Sequence, residues 1–425
     1  MTEKIRVFPK GNLIPFILVT SLFLFWGIPN NLNDVLIRQF IKSFEINRLE
    51  AGLVQSAFYL GYFLLAIPAA SFMHKYSYKT GLIFGMILYS FGSILFWPSA
   101  IMGKYVYFLG SLFVIASGLA FLELGANAFI AELGDPRTSE RRLNFSQAFN
   151  PIGSIMGVLI GTIFIFSGHE PSPEKIQVMK TAGEYAGFLR SETMRVVAPY
   201  LVLGGVVFLW SLMMMKIKFP EIVDEKTEET TGKMSYSDLL RYPHFLKGVI
   251  AQFFYTGAQV GTWSFFITYI KDYTGNGEKI GGFMLTGTLV AFAFGRFAST
   301  LLMKYIEPRK LMGIFSVVNI LLVAVCVLFP GWIGVWAIFA TSFFMSLMYP
   351  TIFALSIKQL GPRTKIGGSV LVMAIVGGAV FTPVMGWLAQ SLSMTAAMVV
   401  PLVCYIVISY FAFTGAEIKQ VKFLK

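Results

Sequence analysis

The chain has 425 residues, of which 56% are hydrophobic and only 13% charged, with a formal net charge of +12. Soluble domains average about 45–50% apolar and about 25% charged residues, so a soluble globule of this composition is excluded. The apolar residues fall in runs of about twenty, long enough for a helix rising ~1.5 Å per residue to cross a ~30 Å hydrocarbon core.

Taken in order, the runs predict membrane spans near 13–34, 52–73, 80–99, 105–131, 146–167 and 197–216. A second set follows near 245–270, 280–304, 310–329, 332–356, 367–390 and 395–414. The fold class expected is therefore an all-α polytopic membrane protein of twelve transmembrane helices. Its domains are an N-terminal six-helix half at 1–216, a linker at 217–243 and a C-terminal six-helix half at 244–425. The linker is marked by Glu221, Asp224, Glu225, Lys226, Glu228, Glu229, Lys233 and Asp238.

With the N-terminus placed in the cytoplasm, roughly two thirds of the 34 Lys and Arg fall on that side. This imbalance puts both termini inside and assigns the net positive charge to topology and anionic lipid rather than to nucleic acid; the membrane expected is a bacterial inner membrane. Residues 1–12 are polar and basic and run straight into the first span, without the layout of a removable signal peptide. Cys326 and Cys404 fall in apolar spans, where cysteine packs as a small hydrophobe. His74, His169 and His244 are far apart, and no metal cluster, phosphate-binding loop or nucleophile with its base is legible. The chain does not read as an enzyme and calls for no cofactor.

Glycine-led spans at Gly52–Ile83 and Gly282–Met312 correspond, each with a Lys-Tyr pair near its end, Lys75-Tyr76 and Lys304-Tyr305. A parallel repeat of this kind is the plan of transporters that bind substrate near the midplane between two halves. A duplicated channel shares that symmetry, so the polar residues inside the spans decide.

In the first span, Trp26, Asn30 and Asp34 recur at four-residue steps beside Asn33, giving one helical face an aromatic, an amide and a carboxylate. Pro29 loosens the helix between them. Asp34 reads either as an interfacial partner of Arg38 one turn on or as a protonatable switch. The fourth span supplies Glu123, too deep for a short side chain to reach water, with Asn127 one turn later. The fifth adds Gln147 and Asn150, followed by Pro151. Amides beside a buried acid suit the gripping of hydroxyls, and equally suit contacts between helices.

The seventh span carries Gln252, then Tyr255, Gln259 and Trp263 at four-residue steps. Amides bond hydroxyls in pairs, and an aromatic face packs on the C–H face of a sugar ring. Arg296, the lone base within a span, reads as a neutralising partner for a carboxylate, as the holder of a gate, or as part of a cytoplasmic-side packing ion pair.

Several of these segments resemble the L-fucose:proton symporter family of the major facilitator superfamily. They are Asn30-Asn31-Leu32-Asn33-Asp34, Gln55-Ser56-Ala57-Phe58-Tyr59-Leu60-Gly61-Tyr62-Phe63, Gln147-Ala148-Phe149-Asn150, Gly257-Ala258-Gln259, Tyr349-Pro350-Thr351-Ile352-Phe353 and Thr382-Pro383-Val384-Met385-Gly386. The resemblance implies that protonation of Asp34 is coupled to transport, that Glu123 binds substrate and titrates, and that Gln147 and Asn150 line the cavity. Arg296 matches a basic residue of the family's eighth span.

The expected function is proton-coupled symport of a neutral monosaccharide, L-fucose or a related hexose, by a protein working as a monomer. Proton coupling falls to Asp34 and Glu123. Sugar contact falls to Glu123, Asn30, Asn33, Asn127, Gln147, Asn150, Tyr255, Gln259, Trp263 and Arg296. Alternatives are a carrier of glucose, galactose or an amino sugar, and a proton-driven exporter of small organic molecules. An exporter cavity would be dominated by aromatics and Met, with fewer amides aligned at helical spacing.

Overall fold

The computed structural model of the chain describes residues 12–133, 142, 145–147, 149–168, 171–220, 236–303, 305–360 and 363–415. Among them there is helix and no strand. Eleven helices in the described residues are long and apolar enough to cross a membrane. The helix Pro243–Thr274 is as long as the first, 32 residues, yet is not among the eleven. It carries Gln252, Thr256, Gln259, Thr262, Ser264 and Thr268 along its length, which dilute its hydropathy. It stands where the seventh expected span belongs. Most of the charged linker, residues 221–235, lies outside the described residues, as do Lys304 and His169.

The N-terminal helices are α1 (Leu13–Phe44), α2 (Arg48–Lys75), α3 (Tyr78–Ile94), α4 (Phe96–Met102), α5 (Tyr105–Glu132) and α6 (Phe149–Ile160). They are followed by α7 (Pro173–Thr181), α8 (Tyr185–Met194) and α9 (Val197–Lys216). The first span thus runs well beyond residue 34. Arg38, Gln39 and Ser43, beyond the expected end of that span, are buried. A capping box starts α2: Asn47 Oδ1 accepts from the Glu50 amide at 2.8 Å, and Glu50 Oε2 accepts from the Asn47 amide at 2.9 Å.

Glycine sets how closely α1 and α6 approach. A Cβ on Gly153 or Gly157 would drive into the carbonyl oxygens of Leu24 and Ile28. Small residues at such a crossing let backbones touch, which is how helices gain contact in a solvent as apolar as themselves. The contact holds Asn150 beside the middle of α1. Pro29, inside α1, has no amide hydrogen to give the Phe25 carbonyl. The Tyr89 hydroxyl of α3 donates to that carbonyl instead, at 3.2 Å.

The C-terminal helices are α10 (Pro243–Thr274), α11 (Glu278–Leu302), α12 (Pro308–Leu328), α13 (Trp332–Met345) and α14 (Met348–Ile357). After them come α15 (Thr364–Met373), α16 (Gly377–Ser391), α17 (Met394–Ala397) and α18 (Val399–Tyr410). Helix α12 packs on α13 and α18. Gly377 of α16 lies against the Phe253 carbonyl of α10, and Gly295 of α11 against the Phe343 carbonyl of α13. Large apolar side chains such as Val202, Leu209, Phe294 and Phe297 are exposed, as on helix faces turned to lipid.

By proximity of its Cα atoms the chain divides into two compact units. One is Met1–Asp224 with Trp263–Leu289; the other is Glu225–Thr262 with Val290–Lys425. Helices α10 and α11 each contribute to both.

Candidate functional site

Within the first unit, α1 presents Asp34 only 3% exposed. Its Oδ1 accepts a hydrogen bond from Gln55 Nε2 of α2 at 2.9 Å and another from Ser264 Oγ of α10 at 2.9 Å. Both donors are neutral. An ionised carboxylate out of water is costly unless it is paired or hydrogen-bonded, and these two bonds meet part of that cost. Asn33 is fully buried next to Asp34 in sequence, and neither atom of its amide has a hydrogen-bond partner.

Glu123 lies inside α5, 8% exposed. Tyr62 of α2 is within electrostatic reach of it, and the Tyr62 phenol lies against Trp26 and Asn30 of α1. Trp26 Nε1, Asn30 Oδ1 and the Tyr62 hydroxyl are buried polar atoms, each without a hydrogen bond of ordinary length. The four-residue spacing of Trp26 and Asn30 therefore brings an indole and an amide, with the Tyr62 phenol, to one buried locality near a carboxylate.

One turn beyond Glu123, Asn127 Oδ1 accepts from Gln147 Nε2 at 3.1 Å. Asn150 Nδ2 donates to the Phe23 carbonyl at 3.4 Å. All three amides are half-buried. They bridge helices in this arrangement and keep acceptor or donor capacity for a further partner.

In the second unit Tyr255 is fully buried on α10, and its hydroxyl donates to the Met345 carbonyl at 3.3 Å. Its ring is 6.1 Å from that of Tyr349. Arg296 of α11 lies over the Phe292 ring, 4.8 Å from the guanidinium carbon to the centroid, and close enough to Tyr255 and Tyr349 to interact with both phenols. Gln259 is half-buried one turn along α10 from Tyr255. Trp263, the last residue of that face, is 8% exposed and belongs to the first unit.

Two residues of the Asp34 surroundings were not singled out by sequence reasoning. Gln55 stood only within a motif, and its signal was an amide in an otherwise apolar run. Ser264 gave no signal at all. A third cluster was also unforeseen. Lys42 of α1 pairs with Glu192 of α8 at 2.5 Å and with Glu278 of α11 at 2.6 Å, and donates to Ser167 Oγ at 3.2 Å. Gln39 donates to Glu192 Oε2 at 3.2 Å and to its carbonyl at 2.8 Å.

No group of three or more His, Cys, Asp or Glu among the described residues is placed to hold a metal ion. The arrangement is one of buried acids, amides and aromatics, suited to binding a polar neutral solute and to taking up a proton.

The family model described as Major Facilitator Superfamily matches residues 16–365. The chain is 39% identical over 408 residues to the L-fucose-proton symporter of Escherichia coli (strain K12), covering 95% of this chain and 93% of that protein. It is 31% identical over 406 residues to a glucose/galactose transporter of Brucella abortus, covering 94% and 93%. A crystal structure of the E. coli fucose:proton symporter superposes with a TM-score of 0.72 at 37% identity, covering 96% of this chain and all of that one. These relatives are transporters and not enzymes. With the helical architecture and the full-length matches, the chain belongs to the Major Facilitator Superfamily, in the branch that includes the L-fucose-proton symporters.

Proposed function

We propose that this protein carries a neutral monosaccharide, L-fucose or a closely related hexose, into the cell together with a proton by alternating access. The observation that carries the reading is the grouping of Trp26, Asn30 and Tyr62 close to Glu123. These groups make at most weak bonds to one another, and a ligand edged with hydroxyls supplies the better partners they lack. Asn127, Gln147 and Asn150 extend the same chemistry, and Asn33 adds a further buried amide. Tyr255, Gln259 and Arg296 of the second unit, and Trp263 of the first, are further candidates for sugar contact, by their aromatic, amide and cationic groups.

Asp34 takes the coupling role and Glu123 the sugar-contacting role, with Glu123 also able to exchange a proton. Protonating Asp34 removes the penalty of holding an ionised group away from water. A state that encloses sugar then forms more readily with the proton bound than without it, which makes the two solutes cross together. No cofactor takes part; the coupling ion is the proton.

The protein is read as resident in a bacterial inner membrane, with six-helix halves at 1–216 and 244–425 and both termini cytoplasmic. It works among lipids as a monomer and has no nucleic-acid partner.

Uptake into proteoliposomes under an imposed inward proton gradient tests the reading, with L-fucose competing against hexoses and amino sugars. Saturable gradient-driven L-fucose uptake supports it. Competition by glucose and galactose in preference to L-fucose would move the substrate toward that of the Brucella relative. Competition by amphipathic cations alone would overturn it in favour of an exporter.

A further inference from the structure

Three side chains from three helices meet at one oxygen. Gln55 Nε2 and Ser264 Oγ both donate to Asp34 Oδ1 at 2.9 Å, and Gln55 Nε2 also donates to Ser264 Oγ at 2.9 Å. Gln55 and Ser264 are each 1% exposed. Water has little access to the group, so its hydrogen bonds must come from the protein.

We propose that Gln55 and Ser264 are positioning residues for proton exchange at Asp34, and that Ser264 transmits the protonation state of Asp34 to α10. This rests on the reading of Asp34 as the coupling carboxylate. The chemistry of the donors gives the two states. With Asp34 ionised, both neighbours point a hydrogen at Oδ1. With a proton on Oδ1 the acid is itself a donor, and Ser264 turns its own O–H away and accepts through a lone pair; with a proton on Oδ2, Oδ1 is a neutral carbonyl oxygen that accepts both bonds more weakly. A primary amide nitrogen has no such option. In the first case Gln55 Nε2 therefore gives up Oδ1 and keeps its bond to Ser264, or shifts. The proton arrives from water and remains on the carboxyl; the serine keeps its own.

Ser264 is suited to pass this on because its helix also bears Tyr255, Gln259 and Trp263. The strength or direction of the Ser264 bond thus differs between the two protonation states of Asp34, and a difference in contacts between two states is what coupling between sites requires.

Other ionisable groups surround α1. Arg38 lies one turn on, Tyr59 and Tyr62 are on α2, Tyr105 and Glu123 on α5, and Glu192 on α8. Lys42 is engaged by Glu192 and Glu278, and Arg48 by Asp272. Gln55 and Ser264 bond Asp34 directly.

The test uses the full chain in proteoliposomes with L-fucose as probe, and glucose and galactose as second probes. Ser264→Ala, Ser264→Thr and Gln55→Leu are compared alone and combined with Asp34→Asn. In the parent background, Ser264→Ala and Gln55→Leu are expected to displace the pH of half-maximal uptake by about half a unit or more, while Ser264→Thr retains the parental profile. In the Asp34→Asn background the same changes are expected to alter sugar exchange by less than about twofold, because the group they act through has gone. Should Ser264→Ala not reach the membrane, Ser264→Cys keeps the volume with only a weak donor and carries the same expectation. An unmoved pH profile, or equal losses of exchange in both backgrounds, would show a merely structural role and overturn the proposal. Proton-driven accumulation by Asp34→Asn alone would instead overturn the reading of Asp34 on which it rests.

Discussion

The Tyr89 hydroxyl donates to the Phe25 carbonyl at 3.2 Å, taking the place of the amide hydrogen that Pro29 lacks. A helix with an internal proline ordinarily leaves that carbonyl without its bond. Here a neighbouring helix supplies the donor, and the backbone bond missing at Pro29 leaves no orphaned acceptor in α1. Tyr89→Phe is therefore expected to lower stability in detergent by about 1 kcal/mol. In Pro29→Ala, which restores the backbone donor, the same change should cost little. Thermal unfolding of the two single variants and the double variant measures the difference; additive losses would contradict the assignment.

Lys42 holds two nearly buried carboxylates, Glu192 and Glu278, which are 3% and 0% exposed. Removing the cation leaves like charges out of water, a change that typically costs about 3–5 kcal/mol. Lys42→Met should accordingly unfold at markedly lower temperature. Adding Glu278→Gln should return part of the loss, since one of the two stranded charges is then neutral. Melting of purified variants followed by size-exclusion chromatography reads both effects, and a parental melting curve for Lys42→Met would refute them.

Twelve long helical segments and their order are legible in the sequence because a bilayer demands unbroken apolar runs of about twenty residues. The far end of α1 is not. Arg38, Gln39 and Lys42 lie beyond the apolar run that marks the first span, and only Glu192 and Glu278, distant in sequence, turn the Lys42 end into a buried network. The polar faces of α1 and α5 follow from four-residue spacing, so Trp26, Asn30, Asp34, Glu123 and Asn127 were all identifiable. Gln55 and Ser264 bear no periodic relation to Asp34, and contacts made between helices leave no mark on spacing within one. The Gln147 bond to Asn127 falls between these cases: both residues were visible as lone amides, while their pairing required the structure.

Glu123 is assigned sugar contact, and leaving a buried sugar hydroxyl without its partner costs about 1–3 kcal/mol. Glu123→Gln should weaken L-fucose binding about ten- to a hundredfold. Gln147→Ala and Asn127→Ala should each weaken it less, about fivefold, and the double variant should lose less than the sum because the two amides bond each other. Calorimetric titration of the purified variants with L-fucose gives these numbers. Parental affinity in Glu123→Gln would remove the residue from the site.

The division of labour between the two acids is tested most directly by Asp34→Asn. The amide keeps the volume and can still bond Gln55 and Ser264, but it takes up no proton in the working range. In proteoliposomes under an inward proton gradient, this variant should fail to accumulate L-fucose above equilibrium. When preloaded with L-fucose and given no gradient, it should still exchange labelled for unlabelled sugar. Accumulation equal to that of the parent would contradict the assignment of Asp34 as the coupling group.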